Sequence, residues 1–213
     1  SNSANVWSSW KPHIKSIVIK EGITEIDLSA FSYCTNLKSV DFGKISAIGD
    51  YAFLHCTSLT SIKLPDTVKS IGFGVFQGCT SLKDFSTGNS LKEITTDMFN
   101  YCTLESFHVG RSLKNFDSVY TDTTYIRTKK FIVEPLNLHF SSDENGLLYN
   151  KKKTSLLRYP TENTTEVFVL PDETTRIDDL ALSYCSNIKT IVLHERFEGW
   201  SYELYNGCHI SDI

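Results

Sequence analysis

The sequence lacks the long apolar runs and the basic excess that mark two large classes of protein. No uninterrupted apolar stretch reaches about 18 residues, which excludes a transmembrane helix. Lys and Arg number 21 against 25 Asp and Glu, a formal net charge of −4, so a dedicated nucleic-acid binder is not expected. With 40% hydrophobic and 22% charged residues, the 213-residue chain is also too apolar and too weakly charged for disorder. We expect one domain of ordinary size with a buried core.

Sequence motifs for common catalytic and metal chemistry are missing as well. There is no Cys-x-x-Cys pair for zinc and no Gly-x-Ser-x-Gly nucleophile elbow. His194-Glu195 lacks the second histidine of a zinc-protease helix. A calcium loop beginning at Ser141 would have Lys152 at its twelfth position, where calcium needs a bidentate glutamate. We therefore expect no catalytic residue, metal or cofactor, and an enzyme is the least favoured hypothesis.

Six cysteines are present, and their spacing is periodic. They lie at positions 34, 56, 79, 102, 185 and 208, and all gaps but one are 22 or 23 residues. An aromatic residue or a leucine lies three residues before each of them, at Phe31, Phe53, Phe76, Phe99, Leu182 and Tyr205. Repeats of about 20–50 residues indicate a solenoid or a propeller. The cysteines are best explained as small buried side chains in a core column, hence six free thiols, although neighbouring repeats would bring them within disulfide reach.

One repeat contains two extended segments. In the copy from Leu59 to Cys79, an alternating run ends at Ile62-x-Leu64, a turn follows at Pro65-Asp66, and a second apolar pair precedes the cysteine. The last stretch is expected to form one helical turn. A unit of this size buries too little apolar surface to fold alone, but stacked copies bury their side chains against each other. The rungs should stack at roughly 4.8 Å.

The pattern degenerates in the middle of the chain. Two alternating segments, Asn145–Asn150 and Thr154–Pro160, are joined by three lysines and predict a β-hairpin that projects from the stack or is inserted in it. The lysines are most simply a solvated tip. Trp7 and Trp10 are predicted to cover the N-terminal end of the solenoid as a cap.

These observations predict a single domain over 1–213. It comprises a cap at 1–13, repeats at 14–118, a degenerate rung and hairpin insertion at 119–165, and repeats at 166–213. Because another strand begins as the chain stops, we expect the array to be truncated at the C-terminus. Any targeting segment is expected outside this sequence, which shows neither a starting methionine nor a signal-like apolar region.

The repeat resembles a known family. The pattern Leu-x-x-Ile-x-Leu-Pro-Asp-x-Val-x-x-Ile-Gly-x-x-x-Phe-x-x-Cys from Leu59 to Cys79 is similar to the BspA-type leucine-rich repeat, and the segment 146–160 resembles the hairpin found between repeats there. Departures are Asp27 and Asp178 in place of the repeat glycine, a leucine in place of the phenylalanine before Cys185, and the rung around 119–135.

The resemblance implies a strand-dominated, right-handed leucine-rich-repeat solenoid with an inserted β-hairpin. It also implies a secreted or surface-anchored protein of a mucosal bacterium or protist parasite. The roles proposed for that family are adhesion to host matrix proteins such as fibronectin, cell attachment and co-aggregation. The implied location is extracellular or at the cell surface, and the implied partner is an extracellular protein or glycan, with no nucleic acid and no membrane insertion.

Two columns of exposed positions are the candidate partner-binding residues. The first column follows the aliphatic residue that opens each strand, at Lys15, Lys38, Thr60, Lys83, Glu105 and Lys189. The second immediately precedes the cysteine, at Tyr33, His55, Tyr101 and Tyr184. The lysines either form a basic stripe for an acidic partner or glycan, or simply keep an exposed strand soluble. The aromatics either belong to a protein interface or cap the edge of the core.

The sequence thus favours a non-enzymatic binding or adhesion protein that recognises a macromolecule through its exposed strand face. The alternative is a structural spacer that holds another domain away from the cell surface.

Overall fold

The structure, a computed structural model, describes residues 9–117 and 126–200. Short strands and turns make up nearly all of it. The strands are β1 (Ser16–Val18), β2 (Glu25–Ile26), β3 (Ser39–Asp41), β4 (Ala47–Ile48), β5 (Ser61–Lys63), β6 (Ser70–Ile71), β7 (Asp84–Ser86), β8 (Glu93–Thr95), β9 (Ser106–Val109), β10 (Asn115–Asp117), β11 (Phe131–Val133), β12 (Phe140–Ser142), β13 (Leu148–Asn150), β14 (Ser155–Arg158), β15 (Val167–Val169), β16 (Arg176–Ile177), β17 (Thr190–Val192) and β18 (Gly199–Trp200).

The strands form two sets of parallel ladders, one for each extended segment of the repeat. The first segments pair as β1–β3, β5–β7–β9–β11 and β15–β17, and the second segments pair as β2–β4–β6, β8–β10 and β12–β13–β14–β16–β18. Equivalent positions of successive repeats face each other, as in the pairs Ile62 with Phe85 and Phe85 with Phe107. The predicted strand-dominated solenoid is confirmed.

The expected helical turn before the cysteine is mostly absent. Between residues 14 and 200, the described chain has one 3₁₀ helix, Thr96–Phe99, and Lys11–His13 forms another at the start. The residue before the cysteine has a left-handed backbone, with φ of 65° at Tyr33, 56° at His55 and 66° at Tyr101. An L-residue in that conformation cannot continue a right-handed helix, so the segment closes as a turn.

Phenylalanines and cysteines form the centre of the core. Phe31, Phe53, Phe76 and Phe99 stack along the array with ring centroids 5.6, 5.6 and 6.2 Å apart. Five cysteines, Cys34, Cys56, Cys79, Cys102 and Cys185, are buried free thiols, as predicted. The sixth, Cys208, lies outside the described residues.

Three of the buried thiols are placed as well-defined hydrogen-bond donors. The sulfurs of Cys56, Cys79 and Cys102 each donate to the carbonyl of the stacked phenylalanine one repeat earlier, at 3.2 Å in all three cases. Burial raises the pKa of Cys34 to about 11 and that of Cys102 to about 12. Both thiols therefore stay protonated at neutral pH. A cysteine fits this position because it is small and apolar yet offers the carbonyl a partner.

The hairpin is confirmed, and it is inserted in the second set of ladders. Strands β13 and β14 pair antiparallel, β12 adds a third strand on one side, and β14 pairs in parallel with β16 on the other. The degenerate rung also keeps its place, since Phe131 pairs with Phe107 and their rings are 5.9 Å apart. The hairpin divides the core into two clusters, one ending at Leu148 and one beginning at Leu147.

The repeat glycine has a steric explanation, and so does one of the two departures from it. A Cβ at Gly49 would lie 2.8 Å from the Leu28 nitrogen, and one at Gly72 would lie 2.5 Å from the Asp50 nitrogen, both in the preceding rung. Backbone atoms cannot give way, so those positions require glycine. Asp27 lies on the first described rung, so no preceding second strand of the described chain crowds its side chain. Asp178 instead stacks on hairpin strand β14, with its nitrogen 2.9 Å from the Leu156 carbonyl, and the steric argument does not extend to it.

At the N-terminal end, the first rung is covered by a lysine. Lys11 is buried, and its Nζ donates to the Ser29 carbonyl at 3.2 Å and to Ser32 Oγ at 3.0 Å. Trp10 is 65% exposed, and Trp7 lies outside the described residues. The predicted cap at 1–13 and the other domain boundaries stay predictions.

Candidate functional site

The first candidate column lies on the exposed side of the first-strand ladders, directly before each strand. The Lys38 nitrogen donates to the Lys15 carbonyl at 2.9 Å, and the Lys83 nitrogen donates to the Thr60 carbonyl at 2.8 Å. Glu105 continues the column, with its nitrogen 2.7 Å from the Lys83 carbonyl. The structure thus places these five residues one rung apart, in the order that the repeat predicts.

Ion pairs divide this column. Glu105 lies 2.6 Å from Lys129, and Lys189, in the separate β15–β17 ladder, lies 2.6 Å from Glu166. In the described part of the chain, the other three lysines of the column, Lys15, Lys38 and Lys83, form no ion pair. The basic surface is therefore confined to the N-terminal rungs, and Lys189 does not extend it.

The second candidate column follows the left-handed turn residues. Tyr33 and Tyr101 are 55% and 75% exposed, and the Tyr33 ring lies 5.2 Å from the His55 ring. Gly78 takes the same position in the next repeat, and its lack of a side chain leaves room for the His55 imidazole. Tyr184 is half-buried in the C-terminal repeats. The column is an interrupted aromatic ridge, and its members do not converge on one point.

A groove that the sequence did not predict lies beside the lysine column. Its volume is about 660 Å³. Its polar lining comes mainly from outward positions of β5, β7 and β9 and from the turns that follow the first strands, namely Lys63, Asp84, Ser86, Asn89, His108 and Glu134. The available signal was the second outward position of each strand, which reads Lys63, Ser86 and His108 in successive repeats. Because that position changes residue type in every repeat, it does not stand out as a motif.

Asp84, Ser106 and His108 form a hydrogen-bonded cluster at this groove. Ser106 Oγ donates to Asp84 Oδ1 at 2.6 Å and also lies 3.1 Å from His108 Nε2. In a serine nucleophile triad the imidazole stands between the hydroxyl and the carboxylate. Here the buried Ser106 hydroxyl lies between the imidazole and the carboxylate, and it donates its hydrogen bond to the carboxylate rather than to the imidazole. The cluster has the residue types of a triad without its connectivity.

Metal ligation and membrane insertion find no support in the described residues. Across 9–117 and 126–200, no group of three or more histidine, cysteine or acidic side chains is placed to hold a metal ion. No helix in those segments is long and apolar enough to cross a membrane. The exposed first-strand face, with its lysines and the adjoining groove, is the candidate interaction surface.

Solved structures with this fold come from bacterial repeat proteins. A leucine-rich repeat protein from Eubacterium ventriosum is 28% identical to this chain, with a TM-score of 0.72. The match covers 91% of this chain and 51% of the Eubacterium chain. The pneumococcal vaccine antigen PcpA is 24% identical with a TM-score of 0.66, covering 86% and 52%. A leucine rich cell surface protein from Faecalibacterium prausnitzii is 20% identical with a TM-score of 0.61, covering 84% and 50%. The chain spans about half the length of each.

No curated protein sequence gives a significant match. The family described as the BspA type leucine rich repeat region matches in six copies, over residues 4–126 and 159–213. These copies lie on both sides of the hairpin and contain the phenylalanine stack, the cysteine column and the first-strand face. The chain therefore belongs to the BspA-type leucine-rich repeat family.

Proposed function

We propose that this protein is a non-enzymatic binding module, secreted or displayed at a cell surface, that recognises a macromolecule through its first-strand face. The observation that carries the proposal is the ladder of exposed side chains along β1 to β11. Lys15 and Lys38 lie there on adjacent rungs, Lys83 lies two rungs beyond Lys38 with Thr60 between them, and none of the three has an acidic partner in the described chain. Unpaired charges of one sign spread along several rungs suit a long partner with repeated groups, such as a protein surface or a glycan.

The groove adds hydrogen-bonding groups to this face. Lys63, Asp84 and Glu134 are exposed beside it, and His108 is half-buried. A partner that lies along the lysines would therefore meet both donors and acceptors a few ångströms further across the ladder. The cell-surface and antigen descriptions of two structural neighbours support the location.

A binding experiment on the full chain tests the proposal. The immobilised protein is exposed to purified matrix proteins, beginning with fibronectin, and to a panel of acidic and neutral glycans. We expect one class to bind, and the variant K15E/K38E/K83E to weaken that binding by about tenfold or more. The matched control is K69E/K92E/K114E, which reverses three exposed lysines that precede second strands, and it should change the affinity by less than about twofold.

Three results would contradict this proposal. If both triple variants lose the same affinity, the effect arises from the net charge and not from the lysine column. A panel without any binding would favour the spacer, which needs no partner on this face. Turnover of a bound substrate that is lost in His108→Ala would instead revive the enzyme hypothesis.

A further inference from the structure

The turn between β11 and β12 differs from the equivalent turns of the array. In most other repeats this turn carries polar residues, such as Asp66 and Asn89, and the turn between β1 and β2 exposes one apolar residue, Ile23, at 51%. Here it presents Leu136 and Leu138, whose exposed fractions are 61% and 78%. Single exposed apolar side chains are common on protein surfaces, whereas neighbouring ones are a feature of interaction sites.

The exposure of these leucines is imposed by the fold. Asn137, between them, is completely buried, and its amide donates to the Gly110 carbonyl at 2.8 Å and to the Leu113 carbonyl at 2.9 Å. Its oxygen accepts from the backbone nitrogens of His139 at 2.7 Å and Phe140 at 2.8 Å. All the hydrogen-bonding positions of the side chain are used. The turn is therefore pinned, and the leucines on either side point away from the core.

Three lysines lie at the same end of the hairpin. Phe140 pairs with Asn150 in the antiparallel ladder, so the chain before Phe140 and the chain after Asn150 leave the sheet together. Lys151 Nζ donates to the Pro135 carbonyl at 3.0 Å, which ties the two turns to each other. Lys151 and Lys152 are exposed, and Lys153 is partly so. Among the described residues, none of the three forms an ion pair.

We infer that this leucine–lysine tip, formed by Leu136, Leu138 and Lys151–Lys153, docks the protein on an anionic lipid surface. The lysines supply attraction to negatively charged headgroups, and the leucines enter the boundary between headgroups and acyl chains. A bilayer suits two exposed leucines beside three unpaired lysines better than a protein partner does, because a bilayer needs no preformed pocket. The net charge of −4 does not oppose this, since charges beyond about 8 Å are screened at physiological salt.

Vesicle co-sedimentation of the full chain tests the inference. We expect binding to vesicles of phosphatidylcholine and phosphatidylglycerol in a 3:1 ratio, and little binding to phosphatidylcholine alone. Each lysine near an anionic surface contributes about fivefold in affinity, so K151Q/K152Q/K153Q should lose on the order of a hundredfold. The double variant L136S/L138S should lose about tenfold or more.

Matched controls come from elsewhere in the array. Leu28 is 66% exposed in a different turn, so Leu28→Ser should leave vesicle binding unchanged, as should K15Q/K38Q/K83Q. The lipid proposal is overturned by no binding to the anionic vesicles, by equal binding to neutral vesicles, or by equal losses in variants and controls. It is also overturned if the tip variants lose a matrix protein but keep vesicle binding, since the tip would then be a protein-docking surface. The lipid proposal does not depend on partner binding by the lysine column, because the two surfaces share no residue.

Discussion

Repeats before and after the hairpin share one architecture but differ on the outward face of their first strands. In β1 to β9 most outward positions carry serine, lysine, aspartate or histidine. In the C-terminal ladder, Val167, Val169 and Val192 are 50%, 60% and 44% exposed. The inward positions stay aliphatic or aromatic in both regions. Stacking thus constrains one side of each strand, and the other side is free to vary with function.

The cores of the two regions differ as well. Before the hairpin, four phenylalanines stack in one continuous column. After it, the described aromatic contacts are two separate edge-on pairs, Tyr159 with Phe168 at 5.1 Å and Phe197 with Trp200 at 5.2 Å, and Leu182 takes the place of the phenylalanine. Because rungs contact mainly their neighbours, a break in the column divides the array into units of separate stability. We therefore expect damage on one side of the hairpin to stay largely on that side.

The largest expected effect comes from removing the centre of the stack. Phe76 is fully buried between Phe53 and Phe99, so Phe76→Ala should lower the free energy of unfolding by about 3–5 kcal/mol. Hydrogen exchange followed by mass spectrometry should show lost protection in residues 28–110 and retained protection in 160–195. The reciprocal variant is Phe168→Ala, which should affect the C-terminal repeats. Equal loss of protection on both sides would show that the hairpin does not separate two units.

A smaller effect is expected from the repeat glycine. Gly72→Ala places a methyl group against the Asp50 nitrogen and the Gly49 carbonyl carbon, at 2.5 and 2.8 Å, and should cost about 2–3 kcal/mol. Asp27→Ala creates the same residue at the same repeat position in the first rung, and should change stability by less than about 0.5 kcal/mol. Urea denaturation measures both. Equal costs would mean that the first rung constrains this position as tightly as the inner rungs do.

Much of the fold could be predicted from the sequence, because stacking requires the same residue types at equivalent positions of successive repeats. Cys34 to Cys102 and the phenylalanines before them recur for that reason, and the lysine column follows from the same register. The ion pair of Lys189 with Glu166 was also readable, since Glu166 lies one repeat length earlier.

The groove and the leucine–lysine tip could not be predicted from the repeat pattern. His108 meets Asp84 through Ser106, and although Asp84 and Ser106 share one column of neighbouring rungs, His108 belongs to the next outward column. The tip depends on the register of β12 with β13 and on four hydrogen bonds of Asn137. Both are consequences of tertiary structure in places where the repeat varies.

The buried thiol gives a prediction of intermediate size that depends on pH. Cys102→Ala removes the bond to the Phe76 carbonyl and should cost about 1–2 kcal/mol at pH 8. Burial raises the pKa of Cys102 from an ordinary value of 9.0 to about 12, so the folded state prefers the neutral thiol. That contribution is complete below pH 9.0 and is lost as the pH rises through about 12. The Tm difference between wild type and variant should therefore shrink between pH 8 and pH 11, whereas a constant difference would contradict the role of the thiol proton.

The smallest expected effect separates two lysines of the same column. Lys189 and Glu166 are 63% and 62% exposed, so a double-mutant cycle with Lys189→Gln and Glu166→Gln should give a coupling of about 0.2–1 kcal/mol that fades in high salt. Lys38→Gln has no such partner to lose and should leave stability unchanged. Because the ion pair already holds Lys189, its replacement should also leave partner binding intact, whereas Lys38→Gln should weaken it. A coupling of zero would return Lys189 to the set of unpaired lysines, and the proposed surface would then continue across the hairpin into the valine-bearing repeats.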